Sequence, residues 1–207
     1  MSQQKQLTDF ENLLISEIIP NEIYLGSIYA AQNKQILEQY QIKSVLSVGF
    51  ETEFPIELEA KHWIQVNDYP KENIKQFFNE TNQFISNCPK PLLIHCEMGQ
   101  SRSATITLVY LMLKGMKLHE AYNHIHNVRP FIEPNMGFWY QLYEYSQKLY
   151  PDDEGTIIFI YNKFGRINDN NDIETAKRFV KQFYHYHFHR KEMWKCLLMK
   201  KTKDSTK

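Results

Sequence analysis

The sequence is short of the features that mark several large classes of protein. It has three cysteines in 207 residues, Cys88, Cys96 and Cys196. So few, so scattered, make no disulfide framework, and no CxxC pair suggests zinc. It carries no surplus charge either: 24 Lys and Arg balance 24 Asp and Glu. Without a global field, neither nucleic acid nor a membrane surface is an expected partner. No uncharged apolar run is long enough to span a bilayer, and the polar start MSQQKQLTDFENLLISEIIP lacks the apolar core of a secretory leader. There are no repeats, and Gln and Asn form no tracts. What remains, 43% hydrophobic and 23% charged, is an ordinary globular chain with room for one cored domain and an appendage. The expected compartment is the reducing cytoplasm, with the nucleus also open.

Four short runs rich in β-branched or aromatic residues read as strands: EIYLG (22–26), IKSVLSVG (42–49), HWIQV (62–66) and PLLIH (91–95). Helical spacing fills the gaps. AAQNKQILEQY (30–40) is one candidate, and in 73–86 Ile74, Phe77, Phe78, Thr81, Phe84 and Ile85 share a face. Residues 103–114 are apolar almost all round, so this helix is expected to be buried and to stop at Gly115. Leu118, Ala121, Tyr122, Ile125 and Val128 form a stripe ended by Pro130, and a last helix runs over 136–149. Strands alternating with helices predict an α/β fold with a central, mostly parallel sheet flanked by helices.

The composition shifts at Pro151. Residues 1–151 carry 12 basic and 16 acidic side chains, whereas 152–207 carry 12 and 8. We expect an N-terminal segment over 1–14, a main domain over 15–151, and a C-terminal extension over 152–207. Within that extension TIIFIY (156–161) reads as a strand and the basic, aromatic segment after Lys177 as an amphipathic helix.

One loop carries chemistry. In LLIHCEMGQSRSATITLVYLM (92–112) a buried strand gives way to a polar loop and then to a buried helix. That arrangement gathers backbone N–H groups and the positive helix end around one point, an anion site. It has no GxxxxGK[ST] pattern, so nucleotide need not be the ligand. Cys96 opens the loop, and an electropositive setting favours the thiolate, the nucleophilic form. Arg102 closes it with a planar fork suited to two phosphate oxygens, and Gly99 allows the tight turn.

HCEMGQSRS matches the HCxxGxxR[S/T] pattern, and the chain resembles the dual-specificity protein phosphatases of the cysteine-dependent tyrosine phosphatase superfamily. The likeness covers roughly 15–150, through IIPNEIYLGSIYAAQNKQILEQYQIKSVLSVG, VNDYP, the loop itself and VRPFIEPNMGFWYQLYEY. It implies a metal-independent, cofactor-free hydrolase. Cys96 would form a cysteinyl-phosphate, with Arg102 and the amides of Glu97, Met98, Gly99, Gln100 and Ser101 holding the phosphate oxygens. It also implies a general acid at Asp68 in QVNDYP, which precedes Cys96 by 28 positions. Asn67 and Glu72 are the nearby substitutes. His95 would orient the loop and favour the ionised cysteine, and Ser103 would donate to the sulfur, though Ser103 also suits a helix cap. Asn135 in PNMGF would support the loop.

The expected substrate is a phosphoprotein bearing phosphotyrosine or phosphoserine/threonine. Glu97 at the loop mouth should repel a phosphoinositide headgroup, and no phosphotyrosine-recognition loop or docking domain accompanies the catalytic text, as in the small atypical members. Two alternatives stay open: a catalytically weak phosphopeptide-binding module, and a phosphatase of a non-protein ester. A Cys88–Cys96 disulfide is not expected, because an extended run between them spans roughly 25 Å against a limit of ~7 Å. His185, His187 and His189 do not share a helical face, so packing rather than a metal is the expectation.

Overall fold

A computed structural model describes residues 13–151, 153–165 and 173–182. The chain divides into two compact units at Pro151 and Asp152. The first is built on a five-stranded sheet of β1 (Ile15–Ile19), β2 (Ile23–Gly26), β3 (Ser44–Val48), β4 (Ala60–Ile64) and β5 (Leu92–His95), in the order β1-β2-β5-β3-β4. Only β1 and β2 run antiparallel. The remaining pairs, β2/β5, β5/β3 and β3/β4, are parallel, the mostly parallel sheet the alternation of elements predicts.

β5 occupies the middle of the sheet, and all four of its residues are buried, as its unbroken apolar run requires. One sheet face packs on α1 (Ile28–Ala31) and α2 (Lys34–Gln39), around Ile15, Tyr24, Ala30, Leu37, Val45 and Leu93. The sequence suggests a single helix here. Asn33 divides it, because its side chain accepts the Ile36 N–H at 3.1 Å and starts α2 afresh. The remaining helices are α3 (Phe78–Asn87), α4 (Arg102–Leu113), α5 (Leu118–Val128) and α6 (Met136–Leu149). A 3-10 turn over Ile74–Phe77 leads into α3. α4 is buried from Arg102 through Met112, which accounts for its apolar surface all round. It stops where Gly115 takes a positive φ of 105°. No described helix is long and apolar enough to cross a membrane.

Three further local expectations need correcting. β4 begins two residues before HWIQV and ends at Ile64, paired with β3 from Ser44↔Ala60 to Val48↔Ile64. In α5, Val128 is 46% exposed while Arg129 is fully buried. The buried face runs Leu118, Ala121, Tyr122, Ile125, Arg129, and its last member is a cation. In the second unit, TIIFIY is helical, within α7 (Glu154–Phe164). Asp153 accepts the Thr156 N–H at 3.2 Å, a side-chain cap that a strand would not need. Thr156, Ile157, Ile160 and Tyr161 are buried, spacing that fits a helix, whereas apolar identity over six residues fits either form. A further helical stretch covers 173–182, with Ala176 and Val180 buried. It meets α7 through Tyr161 and Phe179, whose rings lie 5.3 Å apart, and through a Lys177–Glu154 ion pair at 3.2 Å. His185, His187, His189 and Cys196 lie outside the described residues.

Candidate active site

The loop from Cys96 to Ser101 leaves the C-terminal end of the central strand and enters α4. Its carbonyls all have protein partners. His95 Nδ1 lies 3.2 Å from the Cys96 carbonyl, and the Ile28 N–H donates to the Glu97 carbonyl at 3.0 Å. Arg129 donates through Nη2 to the Met98 carbonyl at 3.0 Å and through Nε to the Gly99 carbonyl at 2.8 Å. The Glu133 N–H takes the Gln100 carbonyl at 2.9 Å, and Thr105 takes that of Ser101 through both its N–H and its hydroxyl at 2.8 Å.

The amides behave in the opposite way. The Gly99 N–H donates to Cys96 Sγ at 3.3 Å. Those of Glu97, Met98, Gln100, Ser101 and Arg102 donate to no acceptor among the described residues. A loop whose carbonyls are all tied to protein and whose amides remain available has one sign of dipole to offer a ligand, the positive one. Gly99 is essential to the turn. Its φ is +70°, and a Cβ there would lie 2.5 Å from the Gly26 carbonyl oxygen and 2.5 Å from Arg129 Nη2.

Cys96 is 5% exposed and a free thiol, as is Cys88. Ser103 Oγ donates to its sulfur at 3.1 Å. Two donors on one sulfur form the setting in which a thiolate is satisfied. Ser103 is therefore not the helix cap. The cap position falls to Ser101, and the Ser101 side chain makes no capping bond.

His95 is 2% exposed, between Ser47 Oγ at 2.8 Å on Nε2 and the Cys96 carbonyl on Nδ1. Burial lowers its pKa to about 4; the Cys96 carbonyl opposes that shift and the Arg102 charge adds to it. The ring is thus neutral at neutral pH. The tautomer both contacts favour has Nδ1–H donating to the carbonyl and Nε2 accepting from Ser47. At neutral pH the ring therefore carries no charge to the sulfur.

Arg102 is 4% exposed. A Cβ at Gly49 (φ +132°), at the end of β3, would sit 2.4 Å from its Nη1, so only glycine leaves the guanidinium room. Phe50 covers it at 5.3 Å. Nη2 meets Glu97 Oε2 at 3.2 Å, while Nε, buried and without a hydrogen bond, faces Asp68 Oδ2 at 3.6 Å.

Asp68 lies in the loop after β4. Its Oδ1 accepts from Ser101 Oγ and from Asn135 Nδ2, both at 2.7 Å. Asn135 also donates its backbone N–H to Ser101 Oγ at 3.0 Å and caps α6 by accepting the N–H groups of Gly137 and Phe138. The fit is close: a Cβ on Gly137 would lie 1.9 Å from the Pro70 carbonyl oxygen. The substitutes for Asp68 pair elsewhere, Asn67 Nδ2 donating to Glu72 Oε1 at 3.3 Å. Beside Met98 and Gln100 opens a groove of about 960 Å³, lined also by Leu13, Tyr29, Lys34 and Phe131.

Residues 23–148 match the family "Dual specificity phosphatase, catalytic domain". The chain belongs to that family. A "Dual specificity protein phosphatase 1" from Arabidopsis thaliana is 34% identical over 146 residues, 68% of this chain and 73% of that protein. "Dual specificity protein phosphatase 5" of Homo sapiens is 38% identical over 144 residues, 65% of this chain but 36% of the relative. Human DUSP28, known from its crystal structure, superposes with a TM-score of 0.60 at 28% identity, over 65% of this chain and 94% of that one. The company is that of dual-specificity protein phosphatases, and the chain spans about a third of the length of the human "Dual specificity protein phosphatase 5".

Arg129 is a residue of the site that the sequence motif does not contain. Arg129 is fully buried, holding two loop carbonyls, the Ser16 hydroxyl at 3.1 Å and the Leu13 carbonyl at 3.1 Å, with its guanidinium 4.3 Å from the Phe131 ring. Burial lowers its pKa to about 10, with Cys96 pulling the other way, so it is charged at neutral pH. The signal was the stripe itself, since four positions past Ile125 is Arg129.

Proposed function

We propose that Cys96, Arg102, Asp68 and Ser103 carry out phosphate-monoester hydrolysis in two steps. The observation that supports this most is the loop's division of labour, every carbonyl from Cys96 to Ser101 tied to protein and five amides unengaged around one sulfur. A phosphate seated there accepts from those amides and from two N–H groups of the Arg102 fork, Nη2 and Nε, the latter buried and without a hydrogen bond. Cys96 Sγ attacks phosphorus from below, and the bond to the ester oxygen breaks opposite it.

The leaving oxygen needs a proton. Oδ1 of Asp68 is already engaged twice, so Oδ2, on the Arg102 side, is the oxygen to carry it. In the second step the Asp68 carboxylate takes a proton from water as the water attacks phosphorus. The sulfur leaves as a thiolate, met by the Ser103 hydroxyl. Arg129 and Asn135 are positioning residues, and His95 orients the loop.

The substrate is a phosphoprotein. Its residues flanking the phosphorylated one lie along the groove of Tyr29, Met98 and Phe131, whose openness suits the shorter reach of phosphoserine and phosphothreonine as well as phosphotyrosine. A nucleophile that must remain a free thiol is suited to the reducing cytoplasm or nucleus. The test is hydrolysis of an aryl phosphate, a phosphotyrosine peptide, a phosphothreonine peptide and a phosphoinositide, in the presence of a chelator. Turnover of the first three that disappears in Cys96→Ser supports the proposal. Equal turnover in wild type and Cys96→Ser, or turnover confined to the lipid, overturns it.

A further inference from the structure

Arg102 faces two carboxylates before any substrate arrives. Its Nη2 lies 3.2 Å from Glu97 Oε2, and its Nε lies 3.6 Å from Asp68 Oδ2. The two acids are held very differently. Asp68 is fixed by Ser101 and Asn135 through Oδ1. Glu97 has a side chain 59% exposed, and Arg102 is its one ion-pair partner among the described residues. Its backbone is pinned by the Ile28 N–H on its carbonyl at 3.0 Å. The Glu97 side chain is thus a tethered carboxylate free to swing on a fixed stem, at rest on a guanidinium that is itself 95% shielded from water.

From this geometry we infer that Glu97 is a specificity-determining latch, which occupies the outward N–H of Arg102 in the free enzyme and must be displaced when a phosphate dianion binds. The inference rests on the phosphate-site reading of the loop and deepens it. It supplies what a fixed negative charge at the mouth does not, a competitor in contact with the very group the substrate needs. A carboxylate on a guanidinium and a phosphate on a guanidinium use the same donors in the same plane, so they exclude one another.

Two consequences follow. Simple oxyanions bind more weakly than the cup alone would allow, because each must first unseat Glu97. Once displaced, Glu97 swings to the rim beside the bound phosphate. There it opposes any second negative charge carried nearby and selects monophosphates with uncharged or basic neighbours.

The test is calorimetric titration of inorganic phosphate into wild type, Glu97→Gln and Glu97→Asp. Glu97→Asp keeps the charge at the mouth but is one methylene too short to rest on Arg102. A latch acting by contact predicts that both variants bind phosphate about 2- to 5-fold more tightly than wild type, the range of a charge pair whose carboxylate is exposed. A peptide phosphorylated at two neighbouring residues should gain more than the singly phosphorylated one in Glu97→Gln, and less in Glu97→Asp. If only Glu97→Gln tightens phosphate binding, the effect is the field of a distant charge and the latch is wrong. If neither tightens, Glu97 does not compete at all. Binding of phosphate needs no turnover, so this result stands apart from whether Cys96 is the nucleophile.

Discussion

The guanidinium of Arg129 donates to the carbonyl of Gly99 at 2.8 Å, thirty residues away in the chain. With the Met98 carbonyl on the same side chain, that contact turns the middle of the loop so that its carbonyls face the protein. Arg129→Lys keeps the charge but loses the fork that spans two carbonyls. We expect it to cost about 2–4 kcal/mol in urea unfolding, since buried acceptors are left unpaired. We also expect kcat/KM for an aryl phosphate to fall at least about tenfold. Unfolding unchanged together with full activity would show that the loop holds its shape without Arg129.

Ser103 is placed to act in the second step more than the first. Its hydroxyl donates to the sulfur at 3.1 Å, and a hydrogen bond to a charged group contributes about 1.5–3 kcal/mol. Ser103→Ala should therefore slow breakdown of the cysteinyl-phosphate by about 10- to 100-fold. Rapid mixing with an aryl phosphate should show a burst of the phenol followed by slow turnover. Loss of the burst itself would move Ser103 into the attack step.

Asp68 is steered by Asn135. Asp68→Ala should lower turnover of substrates with poor leaving groups by about 10²–10⁴ and flatten the basic limb of the pH–rate profile. Asn135→Asp retains the helix cap but sets a second carboxylate where Nδ2 now donates at 2.7 Å. Two carboxylates so close favour holding a proton, so the basic limb should move to higher pH. A profile that does not move would mean that Asn135 serves the fold alone.

How much of this was legible beforehand follows from where each residue sits. Cys96, Arg102 and Ser103 lie within one contiguous segment, and Asp68 follows a strand in a recognisable place, so local text carries them. Arg129 could be reached only by trusting the helical spacing against residue type, and a buried cation at its end runs against composition. Ser47 acts on His95 across a parallel strand pair, and Gly49, just past the end of β3, leaves room for Arg102 at the start of α4. The first contact depends on the register Ser47↔His95 and the second on where α4 crosses the sheet, neither of which a single element reveals. TIIFIY is helical where a strand is expected for a simpler reason, six apolar residues being compatible with either form until the Asp153 cap is weighed.

Stability should also fall with acid in a way traceable to His95. Its pKa is about 4 in the folded protein against about 6.5 in an unfolded chain. Below about 6.5 the unfolded chain takes up a proton that the native ring refuses, so stability drops as pH falls toward about 4 and this contribution is flat below that. The loss attributable to this ring is about 3 kcal/mol. Urea unfolding at several pH values, compared between wild type and His95→Gln, isolates it. The variant's curve should be flatter over that window. Parallel curves would show that His95 is protonated in the native state or that other groups dominate.

The central claim is that Cys96 takes the phosphoryl group onto its sulfur. Mass spectrometry of intact Ser103→Ala protein, quenched milliseconds after mixing with an aryl phosphate, tests it most directly. The account predicts protein heavier by one phosphoryl group, with the added mass on the peptide containing Cys96 and lost as turnover proceeds. Full hydrolysis with no phosphorylated protein at any time, or phosphate on another residue, would contradict it.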